Sequence, residues 1–198
     1  KRLSYFAAAD CTGHGVPGAM MSVLCSKILS QELEMLNEHD PATLLEQVNI
    51  KLIEELSKND SEIADGMDIS LAALNRENHE LLWSGANNPL VILRNDEILE
   101  YSGVKRPIGA SDSQLPYETH CIPLFSGDRI YLFSDGIVDQ FGGEKGKKLR
   151  KKQLLDWIMG TKNLAPEKQL EFIQNSFINW KGTEEQTDDV LLILVAYS

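Results

Sequence analysis

Residues 5–19 read YFAAADCTGHGVPGA, and this stretch decides how the chain folds. It opens with the short apolar and aromatic run that is typical of a strand, and Asp10 ends that run. Gly13 and Gly15 follow, and glycine adopts backbone conformations that residues with a Cβ atom resist. Pro17 fits the first turn of a helix, where a missing N–H donor costs nothing. The stretch therefore predicts a strand over residues 4–9, a tight loop over residues 10–15 and a helix from Val16.

Two further acidic positions also lie beside apolar runs. Asp135 follows the run 130–134, and Asp188 and Asp189 precede the run 190–195. Carboxylates at strand ends are held by rigid elements, and several such ends can meet in one cleft. Carboxylates that meet repel each other unless a cation lies between them, and hard divalent cations prefer oxygen ligands. The pattern therefore indicates a site for Mg²⁺ or Mn²⁺.

Each of these carboxylates also has a plainer interpretation. Asp10 is a candidate cap for the helix that starts near Val16, although its distance from that start is awkward for capping. Asp135 with the following glycine is a common turn dipeptide. Asp188 and Asp189 are equally consistent with the charged entrance of a strand. The metal site is the interpretation that accounts for all of these positions together.

The same residues carry a family resemblance. Residues 9–19 resemble the Asp-x-x-Gly-His-Gly motif of the metal-dependent PPM-type protein serine/threonine phosphatases, and most of all its bacterial SpoIIE-like (RsbU-like) branch. Ser134-Asp135-Gly136 and Thr187-Asp188-Asp189-Val190 match the later metal-binding motifs in the same order. The first motif with its helix is specific, whereas Ser-Asp-Gly or Asp-Asp alone is weak. The likeness covers nearly the whole chain.

The resemblance implies a set of site residues. Asp10, Asp135 and Asp188 are the expected catalytic carboxylates and metal ligands, together with the backbone carbonyl of Cys11. A supporting role around the ligands is expected for Gly13, His14, Gly15, Gly136 and Asp189. The resemblance further implies two Mn²⁺ or Mg²⁺ ions in the intact protein and direct hydrolysis by a water molecule that the two ions activate.

One family carboxylate is expected upstream of this sequence. In the family it lies in a strand one hairpin before the Asp-x-x-Gly-His-Gly loop, and a sequence that starts at Lys1 begins too late to contain it. We therefore expect a domain that lacks its N-terminal strand or strands and one metal ligand.

Bulk properties narrow the class of protein. A chain of 198 residues with 42% hydrophobic and 25% charged residues fits a single globular domain over residues 1–198. A net charge of −11 argues against nucleic-acid binding. No apolar run reaches the roughly 20 residues that span a bilayer, so no direct membrane insertion is expected. Three cysteines without metal-like spacing favour a reducing cytoplasm. The family resemblance described above also allows the cytoplasmic side of a membrane-anchored sensor.

Periodicity predicts an α+β fold. Val16, Met20, Val23 and Ile28 recur at helical spacing and predict a helix over 16–36, and Asp40-Pro41 opens a second helix over 40–56. Helices are also predicted over 152–159 and 166–180. Short strands, which are spaced too closely for crossover helices and so favour antiparallel pairing, are predicted over 69–74, 81–83, 90–93, 98–101, 119–122, 129–133 and 190–196. The family architecture implied here is two stacked antiparallel sheets flanked by helix pairs.

Two further polar positions receive no metal role. Asn87 stands in a hairpin turn where the family often carries His, and we expect it to make the turn through a left-handed conformation. Asp68 either contacts the first helix pair or is solvated in a loop.

The function that the resemblance implies is a bacterial signalling phosphatase. Its substrate would be phosphoserine or phosphothreonine on a small regulatory protein with a STAS-like domain, and it would work with an upstream sensor domain. A homodimer through helices 16–36 and 40–56 is expected by the same analogy. The alternative is a non-catalytic or impaired interaction module that signals through the helix pair. A metal-dependent nuclease or nucleotide hydrolase is disfavoured by the net charge and by the lack of a Gly-rich loop bearing Lys.

Overall fold

The structure is a computed structural model that describes residues 3–13, 15–35, 40–57, 66–110 and 115–198. Its elements, in chain order, are β1 (Leu3–Cys11), α1 (Gly15–Met35), α2 (Pro41–Ser57), β2 (Met67–Asn75), β3 (Glu80–Ala86), β4 (Leu90–Arg94), β5 (Glu97–Tyr101), β6 (His120–Pro123), β7 (Arg129–Phe133), α3 (Gly136–Asp139), β8 (Phe141–Gly142), β9 (Lys147–Lys148), α4 (Arg150–Gly160), α5 (Pro166–Lys181) and β10 (Leu192–Ala196). The chain divides into two compact units, Lys1–Pro89 with Ser102–Leu124 and Leu90–Tyr101 with Phe125–Ser198.

The first unit is an antiparallel sheet with a helix pair. Its four strands have the order β1-β2-β3-β6, so that β2 and β3 are central. β2 is buried along nearly its whole length, as expected for a central strand that is covered on both faces. The register of β1 on β2 places Asp10 opposite Asp68, at the end of the sheet where β1 finishes.

Helices α1 and α2 pack on each other and on this sheet. α2 buries Leu44, Leu45, Val48 and Leu52 completely, at the spacing of three and four residues that places side chains on one helix face. This stripe joins residues of β2 in one core cluster. The second helix therefore follows its predicted pattern.

The first helix has its predicted position but not the predicted buried face. Val16, Met20 and Val23 are 73%, 68% and 70% exposed, although their helical spacing predicted the helix. The buried face contains Met21 and Ile28 together with the smaller or polar residues Gly18, Cys25 and Glu32. Small side chains allow close helix contacts but contribute little to apolar periodicity. The large apolar residues that defined the predicted pattern therefore include the exposed stripe of Val16, Met20 and Val23.

The second unit repeats the combination of sheet and helices. Its strands have the order β10-β7-β4-β5, and all pairs are antiparallel. α4 and α5 pack on each other and contribute Leu154, Ile158, Ile173 and Phe177 to a core cluster with β4 and β7. A short hairpin of β8 and β9 lies between α3 and α4.

The predicted α+β class with antiparallel sheets and helix pairs is confirmed. Every predicted strand and helix is present, and its ends lie within two residues of the predicted ones except at β3, which extends three residues further, to Ala86. The sequence patterns missed α3, β8 and β9, each of four residues or fewer, because such short segments show no periodicity. In the described parts of the chain, no helix is both long and apolar enough to cross a lipid bilayer.

Asp40 caps α2 and also ties it to the sheet. Its Oδ1 atom accepts hydrogen bonds from the backbone N–H groups of Ala42 at 3.2 Å and Thr43 at 3.3 Å, as the Asp-Pro sequence predicted. The hydroxyl of Thr119, next to β6, donates to the same oxygen and accepts from the Ala42 N–H group at 2.9 Å. Burial alone would raise the pKa of Asp40. The hydrogen bonds just described, together with one from the Thr43 hydroxyl, outweigh burial and hold this pKa below its usual value of 3.8.

We expect Asp40→Ala to lower the free energy of unfolding by about 1–2 kcal/mol, because the first turn of α2 loses its side-chain acceptor. Urea denaturation at neutral pH measures this loss. The exposed Asp156→Ala in α4 is the matched control and should change stability by less than about 0.5 kcal/mol. Since the pKa of Asp40 is depressed in the folded state, its contribution is present above pH 3.8 and is lost as the pH falls below that value. An equal loss in both variants would contradict the capping role.

Candidate active site

Asp10 lies within a strand rather than in a loop. β1 extends two residues further than predicted, through Asp10 to Cys11, because β2 continues to pair with it as far as Met67. Asp10 is half-buried at this end of the sheet. A backbone held in a ladder fixes where the carboxylate stands, which is what a ligand at a strand end requires.

The loop after Asp10 is clamped to the start of β2 by Thr12. The Thr12 hydroxyl accepts a hydrogen bond from the Gly66 N–H group at 2.9 Å, and the Thr12 N–H group donates to the Gly66 carbonyl at 3.0 Å. No sequence pattern predicted this contact, because the two residues are 54 positions apart.

Two of the predicted glycines make the turn into α1. Gly13 and Gly15 have φ values of +96° and +65°, which lie in the region that L side chains rarely adopt. Gly18 has a different role that the sequence did not reveal: a Cβ atom there would stand 2.5 Å from the Gly13 carbonyl oxygen. The loop can therefore lie directly on α1. His14 falls outside the described residues, so its supporting role stays a prediction.

The Cys11 side chain belongs to the core of the first unit. It packs against the cluster that contains Cys25. A hydrogen bond from Cys25, with a smaller contribution from Ser22, outweighs burial and lowers the pKa of Cys11 to about 7. The same hydrogen bond, together with burial, raises the pKa of Cys25. The predicted metal contact of Cys11 concerns its backbone carbonyl and stays a prediction.

Asp135 lies at the junction between β7 and α3 in the second unit. It occupies the N-cap position of α3 with helical dihedral angles, but its side chain does not cap the helix. Its backbone carbonyl accepts hydrogen bonds from the N–H groups of Val138 at 2.9 Å and Asp139 at 2.8 Å. The chain therefore turns into a helix after Asp135 and does not form the hairpin of the plainer interpretation.

Ser134 joins this junction to the segment that carries Asp188. Its hydroxyl donates to the Asp189 carbonyl at 3.1 Å and accepts from the Leu191 N–H group at 3.1 Å. Its own N–H group donates to the Leu191 carbonyl at 3.1 Å. Asp189 thus supports the segment through its backbone, and its N–H group also donates to Oδ1 of Asp188 at 2.8 Å.

These contacts bring two predicted ligands together. One carboxylate oxygen of Asp135 lies within 4.8 Å of one carboxylate oxygen of Asp188, and both side chains are exposed. Gly136 makes the approach possible, because a Cβ atom there would stand 2.2 Å from the Asp189 carbonyl oxygen. The predicted supporting position of Gly136 therefore has a steric reason in close backbone packing.

Asp68 and Asn87 form a pair that the sequence did not predict. Asn87 has a φ of +60°, as expected for its turn, and its Nδ2 atom donates to Oδ1 of Asp68 at 2.7 Å. Asp68 lies in β2 and is half-buried, so the solvated-loop interpretation is wrong. Burial raises the pKa of Asp68 despite the hydrogen bond from Asn87 and the nearby charge of Lys105.

The donor chemistry at Asp135 and Asp188 suits hard divalent cations. Both ligands are carboxylates, and two anions at this separation repel each other when nothing neutralises them. Oxygen donors fit Mg²⁺ and Mn²⁺, whereas Zn²⁺ sites in proteins usually include His or Cys. The residues of this unit therefore fit the metal that the sequence pattern predicted.

Comparison with known proteins gives an independent result. A sequence model of the family described as stage II sporulation protein E (SpoIIE) matches residues 3–198. The solved SiaA-PP2C domain of Pseudomonas aeruginosa is similar to this chain at 28% identity with a TM-score of 0.89, over 98% of this chain and 76% of that chain. No curated protein matches the chain.

More distant structures share the fold. The PP2C phosphatase domain with a regulatory fragment of SpoIIE from Bacillus subtilis is 21% identical with a TM-score of 0.74, over 96% of this chain and 54% of that chain. The serine/threonine phosphatase PstP of Mycobacterium tuberculosis is 13% identical with a TM-score of 0.66, over 99% of this chain and 91% of that chain. With the family match over residues 3–198, these likenesses lead to one conclusion: the chain belongs to the SpoIIE family and has the fold of the PPM-type (PP2C) serine/threonine phosphatases.

Proposed function

We propose that this chain is a catalytically competent, metal-dependent phosphatase that hydrolyses phosphoserine or phosphothreonine on a small regulatory protein. The observation that carries the proposal is the close approach of the Asp135 and Asp188 carboxylates in a chain of this family. Exposed anions held this close by backbone contacts suit a cation-binding role, and the family is metal-dependent, typically with Mn²⁺ or Mg²⁺.

The proposed ligands are Asp10, Asp135, Asp188 and the Cys11 carbonyl. The motif order supports the inclusion of Asp10 and Cys11, and the strand position of Asp10 gives it the rigidity that a ligand needs. We propose that both compact units belong to one phosphatase domain over residues 1–198. When bound, two such ions lower the pKa of a water molecule and neutralise charge on phosphoryl oxygens.

The protein's own contribution is to hold the ligands in place before substrate arrives. Ser134 fixes the Asp188 segment against the end of β7, and Gly136 lets the two backbones approach. Thr12 fixes the loop after Asp10 against Gly66. Ligands that are already ordered need no reorganisation during the reaction. This preorganisation is the main source of electrostatic catalysis.

The partner assignments rest on the family resemblance. We propose a STAS-like phosphoprotein as substrate, an upstream sensor domain and a cytoplasmic location. A homodimer through α1 and α2 gains support from the exposed apolar residues Val16, Met20 and Val23 on α1, since apolar side chains in water favour contact with another surface.

The decisive experiment measures phosphate release from a phosphoserine peptide with Mn²⁺ and with a chelator. We expect release with Mn²⁺, none with EDTA, and losses of at least about 100-fold in kcat for Asp10→Asn, Asp135→Asn and Asp188→Asn, because each variant removes a charged ligand. Asp139→Asn is the matched control, since Asp139 pairs with Lys148 at 2.7 Å and is outside the proposed ligand set. Equal release with metal and with chelator would overturn the mechanism, and no release under either condition would favour the interaction-module alternative.

A second prediction concerns Gly136. Gly136→Ala should weaken Mn²⁺ binding without altering any ligand, because the added methyl group forces the Asp189 backbone away and separates Asp188 from Asp135. We also expect a stability loss of about 1–3 kcal/mol from overpacking. Calorimetric Mn²⁺ titration and thermal denaturation measure the two effects. Gly160→Ala is the control, because a Cβ atom there meets nothing within 4 Å; unchanged Mn²⁺ affinity in Gly136→Ala would show that close packing here is unimportant for the ligands.

A further inference from the structure

Asp10, Asp68 and Asn87 lie in one row across the first sheet. Asp10 is directly opposite Asp68, and Ile69 is opposite Ala86, so that Asn87 follows β3 at the level of Asp68. Residues directly opposite in an antiparallel pair have side chains on the same face, with Cβ atoms about 5 Å apart. The Asp68 side chain therefore stands beside that of Asp10.

This arrangement is unfavourable for the fold alone. Like charges directly opposite each other destabilise a strand pair, and burial penalises a charged group further. Asp68 is half-buried, and the next residue on the same face of β2, Ser70, is fully buried. A carboxylate at this position therefore needs a compensating interaction when it is ionised, and a cation near Asp10 would supply one.

Asn87 holds the Asp68 carboxylate without neutralising it. Its amide donates at 2.7 Å, and its backbone N–H group donates to the Val104 carbonyl at 2.9 Å, which anchors the residue that makes the contact. An amide carries no charge, so this hydrogen bond orients the carboxylate and leaves its charge in place. The pair thus keeps one full negative charge in a defined place, which the charge of Lys105 offsets in part.

We infer that Asp68, oriented by Asn87, is a positioning residue whose negative charge strengthens divalent-cation binding at the opposite Asp10. The inference rests on the proposed function, because it assumes that Asp10 is a metal ligand. A unit charge about 6 Å from a divalent cation tightens binding on the order of tenfold even at the dielectric constant of water.

The test is a calorimetric titration of the full chain with Mn²⁺ alone. We expect Asp68→Asn to weaken Mn²⁺ binding roughly tenfold and Asp68→Glu, which keeps the charge, to weaken it much less. Asn87→Ala should weaken Mn²⁺ binding by an intermediate factor, because Asp68 keeps its charge but loses the hydrogen bond that orients it. If Asp68→Asn fails to fold, Asp68→Thr removes the same charge with a residue that suits a strand.

A salt series separates an electrostatic role from a structural one. The difference between wild type and Asp68→Asn should shrink as NaCl rises from about 0.05 to 0.5 M, because salt screens charge interactions. Glu77→Gln removes the same charge from the turn after β2, whose end at Asn75 is roughly 23 Å from Asp68 along the strand, and should leave Mn²⁺ affinity unchanged.

The outcomes distinguish this inference from the proposed function. If Asp10→Asn loses Mn²⁺ binding but Asp68→Asn binds as wild type does, the inference is wrong and the ligand assignment stands. If Asp10→Asn also binds as wild type does, the ligand assignment itself fails. A loss in Asp68→Asn that does not change with NaCl would assign Asp68 a structural role and overturn the electrostatic one.

Discussion

Repulsion between carboxylates is the constraint on which the structure of the second unit depends. One oxygen of Asp135 and one of Asp188 lie within 4.8 Å of each other, and a flexible chain would separate two such charges. Here the backbone prevents separation, because Ser134 makes three hydrogen bonds to the segment from Asp189 to Leu191. The antiparallel pairing of β7 with β10 continues the same connection into the core.

The first unit also places two carboxylates opposite each other, and there strand pairing holds them. Asp10 lies in a ladder position opposite Asp68, so its strand cannot shift without breaking the register of the sheet. Thr12 and Gly66 close the end of this ladder, and Gly18 lets α1 lie against the loop. In the first unit, strand pairing determines where the carboxylate of Asp10 stands. In the second unit, the hydrogen bonds of Ser134 hold the segments just outside β7 and β10 that carry Asp135 and Asp188.

Glycines have two distinct roles in these arrangements. Gly13 and Gly15 supply backbone conformations with positive φ, and the motif made that role predictable. Gly18 and Gly136 supply room, since a Cβ atom at either position would stand within 2.5 Å of a carbonyl oxygen. For Gly136 the second role depends on Asp189, which is distant in sequence, so no local pattern predicts it.

The amino-acid sequence by itself determined the element types, the family and the positions of Asp10, Asp135 and Asp188, because hydrophobic periodicity and short motifs are local properties. It also predicted the Asp40 cap, which depends only on the local segment 40–43. The buried face of α1, the clamp between Thr12 and Gly66, and the pairing of Asp68 with Asn87 were decided only by the tertiary structure. Each of them depends on which strand or helix lies alongside, and the register that sets such neighbours is fixed by packing of the whole sheet.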